Sequence, residues 1–472
     1  MTPPGTNAPP AAPDEVLSTL NRDGSRRWLR PRPSAGRFLT ARRLVAVTLI
    51  AAFAAIPYVR VGGKPALLLD IARREFTILG TTYLPTDTLL VALGLLSVFV
   101  AIFLVTALFG RVWCGWACPQ TVYLEFLFRP IERLCEGRHY RTGGRSPLSV
   151  GRRLLKYAIY LVLAMFLAHT FLAYFVGVEQ LFRWVRSSPF EHPTAFAVMA
   201  ATTGLMMVDF CWLREQVCTL MCPYGRLQSV LLDRDSLIIS YDESRGEPRG
   251  PIRRSPPDSA ETARGDCVDC HLCVVTCPTG IDIRRGLQME CVGCAQCIDA
   301  CDRVMESVGR PRGLIRYTSQ RALAGARASI VRPRTVIYPV LLVGLLGLLA
   351  AVAIGRSNTD LTVLRTRATP YALTTSGDVV NSISLKITNR ATHARRFELE
   401  IDEALSLESA QLPVTIPAGA AVDVTVQAVI ARNRFDGGRA AVTLRLVDDD
   451  GQRHERPATV LGPLFAQGEA SP

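Results

Sequence analysis

Between Cys267 and Cys301 the chain carries one thiol spacing twice. The first run is Cys267-x2-Cys270-x2-Cys273-x3-Cys277, followed by Pro278. The second is Cys291-x2-Cys294-x2-Cys297-x3-Cys301. No other feature constrains the fold as strongly. Three thiolates on one short loop hold three corners of a [4Fe–4S] cube, and the fourth corner comes from the other run, so the two halves must fold onto each other. The expected sets are Cys267, Cys270, Cys273 and Cys301 for one cluster, and Cys291, Cys294, Cys297 and Cys277 for the second. CxxC pairs also bind zinc, but eight cysteines in a doubled register favour iron–sulfur. Disulfides are disfavoured if the segment faces a reducing cytoplasm.

This doubled spacing is that of a bacterial two-cluster ferredoxin, yet the chain is far longer than one. It has 472 residues, of which 49% are hydrophobic. The mean hydropathy is +0.21, which points to membrane spans. All 14 cysteines lie between Cys114 and Cys301, which excludes a disulfide framework in the C-terminal region. The net charge is +13. Arginines flank apolar stretches, so the charge reads as membrane orientation and not nucleic-acid binding. Neither GxGxxG nor a P-loop is present, so a nucleotide cofactor would belong to a partner.

In chain order, residues 1–37 read as a disordered, Pro- and Arg-rich tail. A four-helix membrane region follows over 38–239, with spans at 39–59, 89–109, 154–176 and 195–213. Residues 60–84 read as an amphipathic or loop segment. Residues 240–265 read as a polar linker, 266–325 as the ferredoxin-like domain, and 335–355 as the fifth span. Each span is close to the length a bilayer core requires. Residues 358–465 switch to period two, with strands expected at 382–388, 397–401, 422–429 and 441–447. Turn residues separate them, which predicts an immunoglobulin-like β-sandwich. The expected fold class is therefore a multi-domain membrane protein. It has about five transmembrane α-helices, an inserted two-[4Fe–4S] ferredoxin-like domain and a C-terminal immunoglobulin-like sandwich. Six arginines precede span one, Arg42 and Arg43 lie at its start, and the 110–153 loop carries eight arginines. The positive-inside rule then places the N-terminus and both clusters in the cytoplasm and the C-terminal domain outside, in a bacterial inner membrane.

A second thiol motif also occurs twice. Cys114-x3-Cys118-Pro119 follows span two, and Cys218-x3-Cys222-Pro223 follows span four. Both copies are expected at the cytoplasmic face, where tandem repeats would bring them together. Each proline suits the first position of a helix. Its preceding cysteine then gains from the helix dipole, which lowers a thiol pKa. If instead the motif continues the span, the two thiols share one helical face. Four soft thiolates suit Cu(I), zinc or iron–sulfur, and a dithiol switch is the remaining chemical option.

Other candidates are single residues. His169 lies within span three, where an ionisable group is a functional candidate, as a ligand, a quinol contact or an interhelical hydrogen bond. Glu125 either neutralises a cation or pairs with Arg129; Asp209 and Glu215 carry the same ambiguity. Cys135 and Cys211 read as ordinary thiols. Met206, Met207 and Met221 read as core packing. His271 is expected to tune solvation near the first cluster.

Two spans, WCGWACPQT, two spans, VCTLMCPYGRLQS, the double CxxCxxCxxxC, one span and a β-sandwich together resemble the cytochrome c oxidase accessory protein family called CcoG, also FixG or RdxA. The resemblance covers roughly residues 35–465. It implies a role in assembling the cbb3-type oxidase as a cupric reductase, with the oxidase or its copper chaperones as partners. Cys114, Cys118, Cys218 and Cys222 would then bind or present copper, and the eight ferredoxin-type cysteines would supply single electrons. Two other readings remain open from the residues, a quinol-linked electron conduit and a non-enzymatic assembly scaffold. The Asp302 after Cys301, against the Pro278 after Cys277, predicts clusters of unequal potential.

Overall fold

The computed structural model describes residues 18–463, apart from 22, 24, 72–74, 84–86, 138–139, 141–147, 252–264, 328, 330, 356, 366–370, 392, 401–405, 409–410 and 418. The chain divides into two units, Met1–Leu349 and Ala350–Pro472.

Five helices are long and apolar enough to cross a bilayer: Arg37–Tyr58, Thr88–Phe109, Val150–Val176, Pro193–Leu213 and Pro333–Ile354. All five expected spans are therefore helices of spanning length. On the third, Tyr160, Ala164, Leu167, Ala168, Leu172 and Ala173 are buried. They recur every three or four residues, so one stripe faces protein, and its alanines let a neighbouring backbone approach closely. Leu154, Leu161, Val162 and Phe166 lie outside that stripe and are exposed, as a lipid-facing surface requires. The turns beyond spans two and four are irregular. Leu124–Phe128, Asp209–Leu213 and Val217–Met221 are π-helical, a form common at functional sites.

Residues 60–84 depart from the expected amphipathic or loop segment. They form a two-stranded ribbon and a three-stranded antiparallel sheet of Leu67–Asp70, Glu75–Ile78 and Thr81–Tyr83. The last hairpin turns through Leu79 and Gly80, both at positive φ (50° and 80°), as a two-residue primed turn demands. A leucine in place of asparagine or aspartate at the first position hides that turn in the sequence.

The 240–265 stretch also departs from expectation. Its first residues belong to the strand Ile238–Tyr241, which pairs antiparallel with Ile315–Thr318 and closes the ferredoxin-like domain. Residues 252–264 lie outside the described residues. The expected disordered tail is corrected too. Residues 1–17 lie outside the described residues, but beyond them the chain lies along the ferredoxin-like domain. Arg32 donates its N–H to Val275 O at 3.1 Å, and Ser34 donates to Gln296 Oε1 at 3.2 Å. Asp299 accepts from the N–H groups of Phe38 and Leu39 at 3.2 and 2.8 Å. It thereby caps the positive end of the first span. A Cβ at Gly36 would lie 2.3 Å from the Asp299 carboxyl carbon, so only glycine admits this cap.

The second unit is a sandwich of two antiparallel sheets. One orders Ser406–Glu408, Ala421–Ile430, Val379–Asn389 and Thr359–Arg365, and the other Val414–Ile416, Arg395–Glu400, Arg439–Asp448 and Arg453–Leu461. Alternate residues point inward, and Leu385, Ile387, Phe397, Val424, Val426, Leu444 and Leu446 are fully buried. The four expected strands all occur there. The strands at 359–365, 414–416 and 453–461 were not expected, because charged residues or short length interrupt their alternation.

Candidate functional site

Both cysteine runs wrap with the same backbone. In the first, Asp269 and His271 have φ of 54° and 56°; in the second, Gly293 and Ala295 have 69° and 60°. Each pair brackets the middle cysteine, Cys270 or Cys294. His271 and Ala295 then begin the helices Leu272–Val275 and Gln296–Ser307. A left-handed non-glycine residue costs on the order of 1 kcal/mol and persists where its surroundings over-determine it.

The thiols gather across the two runs. Cys301 lies among Cys267, Cys270 and Cys273; burial, followed by the charges of Cys273 and Cys267, pushes its thiol up to about 12. Cys277 lies among Cys291, Cys294 and Cys297. The structure thus groups the thiols across the two runs. A small cavity of about 20 Å³ is lined by Cys277, Cys291, Cys294 and Cys297. Cys273 borders it as well, so the two sets adjoin.

Among the described residues, only Asp448, Asp449 and Asp450 place three metal-binding atoms within 4.8 Å of one another. The thiols of each set are thus spread wider than a single zinc ion, at about 2.3 Å from each sulfur, would hold them. Four thiols of each set, and no other donors, fit a cubane cluster. Cys267, Cys270, Cys273 and Cys301 would hold one, and Cys277, Cys291, Cys294 and Cys297 the other. The chemistry so supplied is one-electron transfer.

The CxxxCP thiols form a third group. Cys118 and Cys222 precede Pro119 and Pro223 as helix N-caps, so the motif does not simply continue each span. Cys218 is influenced by Cys118, Cys114 and Cys222 together, which makes the two copies one neighbourhood. Gln228, fully buried, ties them. Its Oε1 accepts from the Cys114 thiol at 3.0 Å, and its Nε2 donates to Tyr224 at 2.8 Å and to Thr106 at 3.1 Å. Burial pushes the Cys114 and Cys118 thiols up. Burial, followed by neighbouring thiols, pushes Cys218 up to about 12. The expected lowering by the helix dipole is thus overturned at Cys118, because desolvation outweighs it. A metal arriving here displaces protons.

This group abuts the second cysteine set. Cys114 and Cys218 pack in one cluster with Val292 and Cys294. A Cβ at Gly115 would lie 2.6 Å from Val292 O and 2.8 Å from Cys294 N. A Cβ at Gly293 would lie 3.0 Å from Arg111 O. Facing glycines therefore set the close approach of the two loops. Arg42, 1% exposed, donates from Nε to Gly115 O at 2.9 Å. Trp116 donates to the Tyr317 hydroxyl at 3.3 Å, and that hydroxyl donates to Gly293 O at 2.8 Å. Arg111 hydrogen-bonds Met289 O, and its charge acts on both Cys114 and Cys291. Arg42, Arg111, Gly115, Gln228 and Tyr317 were missed by sequence reasoning. Only the position of Arg111, three residues before Cys114, hinted at a role.

The remaining candidates resolve into structural contacts. Glu125 pairs with Arg129. Glu215 pairs with Arg129 at 3.1 Å and with Arg26 at 3.2 Å. Asp209 accepts from Gln120 at 2.7 Å. A buried bidentate pair joins Arg214 and Glu132 at 2.9 and 2.7 Å. His169 engages Met165 O, one turn back in its own helix, at 2.7 Å. Met206, Met207 and Cys211 pack around Leu124, Phe128, Tyr160 and Phe210, and Cys135 is buried. Met221 is 60% exposed, so core packing does not describe it. His271 meets Arg284 at 2.9 Å, and Arg284 in turn pairs with Asp269 and Asp282.

Comparison with known proteins extends these observations. Residues 213–320 match the profile of a 4Fe-4S dicluster domain, and 91–136 that of a 4Fe-4S binding domain. Residues 349–463 match the IG-like fold at the C-terminus of FixG. Protein RdxA of Cereibacter sphaeroides is 35% identical over 461 residues, covering 92% of this chain and 96% of RdxA. Protein RdxB of the same organism is 33% identical over 470 residues, covering 94% and 97%. Nitrogen fixation protein FixG of Rhizobium meliloti is 33% identical over 426 residues, covering 80% and 79%. With the crossed cysteine sets, the spanning helices and the terminal sandwich, this extent of likeness shows that the chain belongs to the RdxA/FixG family of membrane iron–sulfur electron-transfer proteins.

Proposed function

We propose that this protein is a cupric reductase that supports copper delivery to a cbb3-type oxidase. Cu(II) is the substrate, and the CxxxCP thiols Cys114, Cys118, Cys218 and Cys222 are its site. The observation that carries this reading is the packing of Gly115 directly on the Cys294 backbone, which sets those thiols beside an electron-carrying set. Each Cu(II) takes one electron and becomes Cu(I), an ion that prefers thiolates. No acid–base residue is required. By the arginine distribution, the thiol sites face the cytoplasm of a bacterial inner membrane and the sandwich lies outside. The oxidase or its copper chaperones are the proposed partners.

The test is anaerobic addition of Cu(II) to reduced, full-length protein, followed by EPR. Loss of the Cu(II) signal in step with cluster re-oxidation is expected. Cys114→Ser with Cys218→Ser should abolish copper binding and leave the two-cluster absorbance. Copper binding retained by that double variant overturns the reading.

One observation favours a second reading of the same thiols. The 4Fe-4S binding profile spans residues 91–136, which include Cys114 and Cys118, and these sulfurs lack the tight spacing of a single-ion site. A third iron–sulfur centre would occupy them on that reading. Iron content separates the two, with about eight iron atoms per chain expected for two cubanes and about twelve for three.

A further inference from the structure

Gln228 lies on the helix Pro223–Leu231, which opens directly after Cys222. It is fully buried, and its amide reaches the CxxxCP thiols. Its neighbours fix which end of the amide faces them. Thr106 donates its hydroxyl proton to Ile102 O at 2.8 Å. That hydroxyl can therefore only accept from Gln228, and the amide atom 3.1 Å from it is Nε2. Tyr224, one turn earlier on the same helix, accepts from Nε2 at 2.8 Å. Both N–H groups of the amide are thus engaged. The oxygen Oε1 is left turned to Cys114 Sγ, at 3.0 Å.

A metal that binds Cys114 takes the place of the thiol proton, and Oε1 then faces the metal. The separation of the two donors decides which ion suits them. Sulfur at about 2.3 Å and oxygen at about 2.1 Å from one ion stand about 3.1 Å apart at a right angle and about 3.6 Å apart at the tetrahedral angle. The observed 3.0 Å matches the right angle, which belongs to the square arrangement of Cu(II). It is too short for the tetrahedral arrangement of zinc. Among the described residues, no three of the CxxxCP sulfurs lie within 4.8 Å of one another. Sulfur alone does not close a single-ion site there, and an oxygen beside Cys114 supplies a further corner.

We infer that Gln228 Oε1 is a ligand of Cu(II) at the CxxxCP thiols, and that it distinguishes the oxidised ion from the reduced one. The inference rests on the copper reading of those thiols. Cu(II) accepts a hard oxygen in a square arrangement, whereas Cu(I) keeps to soft sulfur. On binding, Cu(II) displaces the Cys114 proton to water and bonds to Sγ and Oε1. One electron then passes to it from the Cys277, Cys291, Cys294 and Cys297 set, which is oxidised by one electron. The bond to Oε1 breaks and the bond to sulfur remains. The substrate is thus held by one more ligand than the product, and Thr106 and Tyr224 keep that ligand aimed.

The test uses full-length, cluster-loaded protein in lipid nanodiscs, anaerobic and with both sets oxidised, so that added Cu(II) keeps its charge. Copper X-ray absorption of the unaltered protein should show oxygen and sulfur neighbours around Cu(II), and sulfur alone around Cu(I). Gln228→Leu removes the oxygen at similar size. In competition with chelators of each ion, it should weaken Cu(II) binding at least tenfold and Cu(I) binding less than twofold. The midpoint of the bound copper then rises by about 59 mV for each tenfold. Gln228→Glu keeps an oxygen and should hold Cu(II) within threefold of the unaltered affinity. Iron at about eight atoms per chain shows that each variant has folded around its clusters. Equal weakening of both ions in Gln228→Leu assigns the residue to packing and overturns the inference. So does an unchanged ratio of the two affinities, or sulfur alone around Cu(II) in the unaltered protein. If the unaltered protein binds neither ion at these thiols, the copper reading fails and takes this inference with it. If it binds both and Gln228 has no effect on the ratio, only this inference fails.

Discussion

The two cysteine sets share a spacing and a backbone and differ in what surrounds them. In the first set Cys270 is exposed. Burial raises the Cys273 and Cys301 thiols most; Arg284 opposes it at Cys273, where Asp282 adds less, and Asp302 adds to it at Cys301. In the second set Cys294 is buried, and the charges nearby are cations. Arg111 acts on Cys291 and Arg42 on Cys294. Reduction adds one negative charge to a cluster, so carboxylates disfavour it and guanidinium groups favour it. The second set is expected at the higher potential, with electrons running from the first set to the second and on to the CxxxCP thiols.

The largest effect should come from deleting one side of the comparison. Cys297→Ala removes a ligand of the second set alone. Iron should fall from about eight to about four atoms per chain, and electron delivery to the CxxxCP thiols should stop. If delivery survives at half the iron, the first set reaches those thiols by itself and the ordering is wrong. Gly115→Val attacks the junction and spares both sets. Its side chain meets the Val292 and Cys294 backbone, so the loops must part. A displacement near 1 Å can cost about 100-fold in rate. Stopped-flow oxidation should show that loss with the iron content unchanged.

Arg42→Gln tests the charge asymmetry. EPR-monitored redox titration should show the midpoint of the second set falling toward that of the first. Where the Gly115 carbonyl is left unpaired, stability should drop by about 1–3 kcal/mol. The same midpoint order with and without Arg42 would show that this cation does not set the direction. The smallest effect concerns the shared backbone. His271→Gly and Ala295→Gly each relieve a left-handed residue. Each should raise anaerobic thermal stability by about 1 kcal/mol, less the packing lost with the side chain. A gain in one run and a loss in the other would show that the loops are not equivalent.

The cluster sets were legible because their information is local. Three of four ligands sit within seven residues, and the fourth is assigned by the doubled pattern. The spans were legible because about 20 consecutive apolar residues have few soluble alternatives. The sandwich core was legible wherever alternation ran long, as in Val379–Asn389 and Ala421–Ile430. The Leu79–Gly80 hairpin was not, since leucine carries no turn signal. Nor was the Asp299 cap on the first span, which links residues 260 and 261 positions apart.

The amino-acid order alone therefore determined which thiols are candidates for the clusters, how their spacing divides them into two runs, and which segments can lie in a membrane. These properties depend on spacing within a loop or on hydropathy within a helix. Only the tertiary structure decided that the CxxxCP motifs lie beside Cys294 and not Cys270, and that a cavity opens at Cys291. Those placements rest on facing glycines, on arginines buried against distant carbonyls, and on a glutamine bridging separate helices. Such contacts exist only once the chain has folded, because each joins residues that no local period relates.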